Sequence, residues 1–104
     1  MAKFLLAYTG GKMGETPEAQ QQQMDLWMGW FGSLGEAIVD PGNPLGTSAS
    51  VSADGSVSDS GRLGLNGYSV ITADSLHDAV TKAKGCPVLS SGGSVDVYEA
   101  MPIG

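Results

Sequence analysis

Asp40 is the residue of this chain best placed for acid–base chemistry. It follows Ala37, Ile38 and Val39 and precedes the turn Pro41-Gly42-Asn43-Pro44, so its carboxylate could project from a strand end into a cleft. Desolvation there would raise its pKa toward that of a general base. The same position equally suits a carboxylate that accepts hydrogen bonds from the backbone N–H groups of its own turn. His77 is the only histidine and the only side chain whose unperturbed pKa lies near neutrality. It falls in the first turn of a helix beside Asp74 and Asp78, where dipole and carboxylates push its titration in opposite directions, and an exposed structural role suits it. Cys86 stands before Pro87 with no base close in sequence, which fits a small buried residue better than a nucleophile. Arg62, the one arginine, suits an anionic ligand, a partner's carboxylate or plain solvation.

Other chemistries lack a pattern. Gly61, Gly64 and Gly67 do not follow a strand and open a helix, and no Lys-Ser or Lys-Thr follows a phosphate-type loop, so they read as turn glycines. One histidine and one cysteine among scattered acids give no metal-ligand spacing, and no cofactor is implied. Ligand binding has more support. Trp27 and Trp30 share a helix with the cleft that Asp40 would face, and Asp96 and Tyr98, with Tyr8 and Tyr68, could line the open face of a sheet and give a mostly apolar pocket a few polar groups. Ordinary interface packing explains the same residues as well.

The elements that must position these side chains are legible from periodicity. Lys3 to Thr9 is a short, almost wholly apolar run ended by Gly10 and Gly11, which predicts a strand central in a sheet and buried on both faces. Thr16-Pro17-Glu18 starts a helix through capping, a preset φ and a dipole-matched acid. Met24, Trp27, Met28, Phe31 and Leu34 form its apolar stripe, with Trp30 at the edge and Leu26 near the opposite side, and Gly35 stops it. Gly29 and Gly32 each cost this helix about 1 kcal/mol relative to Ala, which the close approach of a neighbouring backbone would explain.

Ala37 to Asp40 predicts a short strand ended by the Pro-Gly-Asn-Pro turn. Thr47 to Ser60 reads as a small hairpin around Ala53-Asp54-Gly55, or as a serine-rich disordered loop. Gly67 to Ala73 is the next strand. Ser75 with Asp78 then caps a helix whose buried stripe is Leu76, Ala79, Val80 and Ala83, ending at Gly85. Ser94 to Ala100 alternates Val95 and Val97 against Asp96 and Tyr98, as a strand between two unlike environments does.

The order β-α-β, hairpin excursion, β-α-β predicts a ferredoxin-like α+β unit, βαββαβ with an antiparallel sheet and an inserted hairpin. Two helices cover one face of such a sheet. On the first strand Phe4, Leu6 and Tyr8 alternate with Leu5, Ala7 and Thr9, so the second face is apolar too and calls for a homodimer packed into a shared α/β barrel. Composition agrees: 104 residues at 41% hydrophobic content suit one domain, residues 1–104, and the 15% charged fraction falls below the usual quarter, as a buried subunit interface would allow. A formal charge of −6 without a basic run argues against nucleic acid. No apolar run approaches the roughly 20 residues of a bilayer span, and the start of the chain has no signal-peptide pattern. A soluble, cytoplasmic protein is expected.

Four segments in this order resemble the YCII-related family, particularly its DGPF-type subgroup: KFLLAYTG, the tryptophan helix ending WFGSLGEA, the turn VDPGNPLG, and GYSVITADSLHDAVTKAKGCPVLSSGGSVDVYEAMPI. Together they cover most of the chain. The resemblance implies a ferredoxin-like unit that dimerises into an α/β barrel, and a cleft in which a first-helix histidine pairs with an aspartate near the second strand. Asp40 stands where that aspartate would be. No histidine lies between Pro17 and Leu34, Trp27 stands approximately at its place, and Asp59-Ser60-Gly61-Arg62 replaces the Asp-Gly-Pro-Phe signature. A small organic ligand in the cleft is therefore implied more strongly than acid–base catalysis. The alternatives are a non-catalytic ligand-sensing or assembly module, and a cofactor-free oxygenase of aromatic substrates.

Overall fold

The structure, a computed structural model, describes residues 1–103. Its elements are β1 (Ala2–Thr9), α1 (Pro17–Leu34), β2 (Ile38–Asp40), β3 (Ser50–Val51), β4 (Val57–Ser58), β5 (Leu65–Ala73), α2 (Leu76–Ala83) and β6 (Ser94–Ala100), with single 3-10 turns at Gly35–Ala37 and Pro87–Leu89. The main sheet runs β2-β5-β1-β6 with every neighbouring pair antiparallel, while β3 and β4 form a separate two-stranded ladder. Two helices on an antiparallel sheet in this order make a mixed α+β architecture compatible with the ferredoxin-like fold.

The helix ends follow the sequence signals. Thr16 Oγ1 accepts from the Ala19 N–H at 3.1 Å with Pro17 in the first turn, and Gly35 leaves α1 at φ +54°. Ser75 Oγ accepts from the Asp78 N–H at 3.0 Å. The Asp78 carboxylate reaches back to the Asp74 N–H at 3.0 Å and forward to Lys82 Nζ at 2.8 Å, tying the first turn to the last. These bonds hold the Asp78 carboxyl below its usual range, the Lys82 contact being the larger cause.

Between helices and sheet lies the core. Phe4, Leu6 and Tyr8 of β1 meet Ile71 and Ala73 of β5, with Trp30, Ala79, Ala83, Cys86 and Val88 packed above. Three expectations about this layer change. The stripe of α1 is rotated toward Trp30, the helix's buried residue, with Trp27, Phe31 and Leu34 partly buried beside it. Met24 and Met28 are left 58% and 62% exposed, because the 27-30-31-34 ridge faces the sheet. On α2 only Ala79 and Ala83 are buried; their small side chains seat the helix close to the sheet, and Leu76 and Val80 fall outside the narrow contact of an eight-residue helix. No neighbouring backbone approaches Gly29 or Gly32, where an added Cβ would meet nothing within 4 Å.

Strand register assigns the second sheet face. Leu5 sits between Val70 and Tyr98, and Ala7 between Tyr68 and Asp96. Tyr98 is exposed and Leu5 and Val70 are only half-buried there. Tyr8 does not share this face with Asp96 and Tyr98, as the sequence grouping had it, because it is in phase with Phe4 and Leu6 and points to the helices. No helix among the described residues is long and apolar enough to cross a membrane.

Candidate functional site

Tyr8, near the end of β1, pairs in register with Gly67 of β5. Gly67 has no side chain to obstruct the ring, and a Cβ there would stand 3.4 Å from Tyr8 Cδ2. The Tyr8 hydroxyl donates to Ser69 Oγ at 2.7 Å, and the Ser69 hydroxyl donates to the Pro41 carbonyl at 2.7 Å. This relay fastens the turn after β2 to the middle of the sheet. Burial holds the Tyr8 phenol well above its ordinary pKa, against the smaller opposing pull of the Ser69 bond. Cys86, 3% exposed, lies against the same phenol, and burial pushes its thiol up to about 11. It is a neutral packing thiol at physiological pH, without the thiolate character a nucleophile requires.

The fastened turn has its own geometry. Asp40 Oδ1 accepts from the Gly42 N–H at 2.8 Å, which closes an Asx turn. Gly42 adopts φ +80°, and a Cβ at this position would lie 1.6 Å from the Tyr68 carbonyl oxygen, so glycine is required both by conformation and by contact. Beyond it, Pro44 bridges to Gly67 and the Leu45 N–H donates to the Asn66 carbonyl at 2.9 Å. The turn is thereby stitched along the outer end of β5.

A cavity of about 500 Å³ opens between this turn, the end of β1 and the inner side of α1. Tyr8 and Gly67 lie at its floor and Trp27 and Phe31 form the helical wall. Trp27 meets Tyr8 edge to face at 5.1 Å and 71°, and Phe31 at 5.7 Å. Met13 and Met24, both largely exposed, lie at the mouth. Gln23 and Gln20 hold the loop that carries Met13: the Gly14 N–H donates to Gln23 Oε1 at 2.9 Å, Gln23 Nε2 to the Lys12 carbonyl at 2.6 Å, and Gln20 Nε2 to the Gly14 carbonyl at 3.0 Å. No charged side chain lines this cavity. A second hollow, about 590 Å³, lies on the outer side of α1 against the α2–β6 connection; it is more open and carries Asp25 and Lys84 among its lining residues.

Of the residues the sequence singled out, Tyr8, Trp27 and Tyr68 gather at the aromatic cavity. Tyr68 reaches it at the rim, its hydroxyl 3.5 Å from Asn43 Nδ2. Trp30 stands behind the wall, 7% exposed, with its indole N–H donating to the Lys82 carbonyl at 3.2 Å; it borders the outer hollow and not the cavity. Asp96 and Tyr98 belong to the far sheet face and do not line it. Asp40 is exposed and its carboxylate is engaged by its own turn, so the desolvation expected of a general base is absent. His77 is exposed in the first turn of α2, and Arg62 donates to Ser52 Oγ at 3.1 Å beside the β3–β4 ladder, 10 residues away in the chain. Among the described residues no group of three His, Cys, Asp or Glu side chains could hold a metal ion.

Sequence reasoning passed over Ser69, Asn43 and Asn66. Ser69 carried a signal, as the one polar side chain on the helix-facing phase of a buried strand. Asn43 and Asn66 carried none beyond membership of turns. No model of a known protein family matches this chain, and no curated protein matches it.

Proposed function

We propose that the protein binds a small, largely apolar organic molecule in the cavity between α1 and the sheet. The observation that carries this reading is the lining: Tyr8, Trp27 and Phe31 around about 500 Å³, with a few neutral polar groups and no charge. Small-molecule sites are mostly apolar hollows of roughly 300–1,000 Å³ with a small number of placed polar groups, and this cavity fits that range. The position of Asp40, exposed and bonded to Gly42, favours a binding or sensing module over an acid–base enzyme. The test is a metabolite screen by thermal shift and tryptophan fluorescence, repeated in Trp27→Ala. Hits that stabilise the parent protein and lose their effect in the variant support the reading; hits unaffected by the variant, or a screen without hits, count against it.

The wider assignment belongs to the same proposal: a YCII-related chain whose βαββαβ unit, with β3 and β4 as an inserted hairpin, pairs with a second copy into an α/β barrel. The half-covered row Leu5, Val70 and Tyr98 supports the pairing, since an apolar sheet face needs a cover. The single buried thiol of Cys86 suits a cytoplasmic setting.

A further inference from the structure

The polar atoms around the cavity narrow the ligand. Asn66 Nδ2 donates to the Gly10 carbonyl, and Asn43 Nδ2 is directed at the Tyr68 hydroxyl, so each amide turns its N–H group to the protein. Neither Asn43 Oδ1 nor Asn66 Oδ1 accepts a protein hydrogen bond among the described residues. With Gln20 Oε1, which likewise accepts no protein hydrogen bond among the described residues, three neutral amide acceptors remain in the lining. The donors left free include the Tyr68 hydroxyl proton, the Trp27 indole N–H and the second N–H of each lining amide, since the Tyr8 hydroxyl is committed to Ser69.

Charge excludes as strongly as these groups attract. With no Lys, Arg or His in the lining and a net charge of −6 on the chain, a carboxylate or phosphate would lose its hydration without gaining a counter-charge. No Asp or Glu lines the cavity either, so a buried ammonium would have no carboxylate partner. The edge-to-face placement of Trp27 on Tyr8 and the tilted placement of Phe31 offer a flat ring further aromatic contacts of the same kind.

We infer that the cavity takes a neutral aromatic alcohol or phenol of one or two rings, its hydroxyl donating to an asparagine carbonyl and accepting from Tyr68 or Trp27. A hydroxyl is the smallest neutral group that matches an acceptor and a donor at once. This rests on the cavity being the ligand site proposed above.

A matched series tests it: 2-naphthylmethanol, its methyl ether, 2-naphthoate, 2-naphthylmethylammonium and the saturated decahydro alcohol, titrated by NMR on the indole N–H signals. The alcohol is expected to bind tightest, with the ether about fivefold weaker for its lost donor and each ion at least about tenfold weaker. In Asn66→Ala, and independently in Asn43→Ala, the gap between alcohol and ether should shrink; both side chains are exposed, so neither truncation threatens the core. An ion binding as tightly as the alcohol, a saturated ring binding as tightly as the aromatic one, or an alcohol–ether gap unchanged in both variants overturns the class while leaving the cavity a ligand site. Failure of every compound to bind overturns the cavity reading itself.

Discussion

The Tyr8 hydroxyl and the buried Ser69 hydroxyl stand 2.7 Å apart, and Ser69 in turn holds the Pro41 carbonyl at 2.7 Å. Ser69 is fully buried, so Ser69→Ala leaves the Tyr8 hydroxyl with only the weak contact of the Cys86 thiol and should cost about 1–3 kcal/mol. Removing both polar groups leaves only the Pro41 carbonyl without its donor, on an exposed turn residue within reach of water. Urea denaturation should therefore show Tyr8→Phe/Ser69→Ala less destabilised than the sum of the single variants, a coupling that simple loss of packing would not produce.

Alkaline pH should act on the same cluster. Burial raises Cys86 from an ordinary 9.0 to about 11 and raises Tyr8 as well. Both groups are neutral when protonated, and both hold their protons more tightly folded than unfolded. Their contribution to stability is complete below pH 9 and is lost as pH rises through about 11, with the Tyr8 share fading above about 10. Melting temperature followed from pH 7 to 11 should fall across that window. Cys86→Ala should flatten the early part of the fall, and an unchanged slope would show that the thiol is not the group responsible.

Gly42→Ala should be the most damaging single-methyl change in the turn. At φ +80° the residue is in a region β-carbons disfavour, and the added carbon would collide with the Tyr68 carbonyl. A loss of about 2 kcal/mol or more in chemical denaturation is expected, together with weaker ligand binding as the wall shifts. Gly46→Ala is the control, because a Cβ there meets nothing within 4 Å. Equal behaviour of the two variants would refute the steric account.

The fold was legible where local chemistry and burial agree. Thr16, Pro17 and Ser75 announced helix starts because capping is satisfied within three residues, and Phe4, Leu6 and Tyr8 announced a strand because period two survives tertiary packing. The face of α1 was harder to read. Leucine, methionine and tryptophan count alike as apolar in a stripe, and only the sheet decides that Trp30 is covered while Met24 and Met28 are not. The site was legible only by residue type. Tyr8 and Trp27 meet at the cavity on the helix-facing side, and Tyr68, which register places in the row of Ala7 and Asp96, reaches only its rim beside Asn43, whereas Asp96 and Tyr98 do not line it. The tie from Ser69 to Pro41 spans 28 residues and no local pattern encodes it.

Asp40 offers a direct discrimination between a structural and a catalytic carboxylate. An amide oxygen accepts the Gly42 N–H as a carboxylate does, so Asp40→Asn should preserve the turn, the stability within about 0.5 kcal/mol and the ligand affinity. Asp40→Ala removes the acceptor and should cost about 1 kcal/mol. If a turnover activity is found and Asp40→Asn abolishes it without altering binding, the carboxylate has a chemical role that its present bond to Gly42 conceals.

The second sheet face is covered by neither helix. Leu5 lies between Val70 and Tyr98, and α1 and α2 both pack on the opposite side. In the proposed pairing, two copies bring these rows together about a two-fold axis, so one substitution enters the interface twice. Leu5→Glu would then set a buried, unpaired carboxylate on each copy, whereas in a lone chain this position keeps contact with water, where a carboxylate can hydrate. Sedimentation equilibrium at micromolar concentration should find the parent chain dimeric and Leu5→Glu monomeric, with matching far-ultraviolet circular dichroism. Lys3→Glu on the same strand face is the comparison: Lys3 is already exposed and charged, so its dimer should persist unless electrostatic repulsion alone is at work. A parent chain that sediments as a monomer would leave Leu5, Val70 and Tyr98 as a tolerated apolar surface and remove the pairing from the proposal.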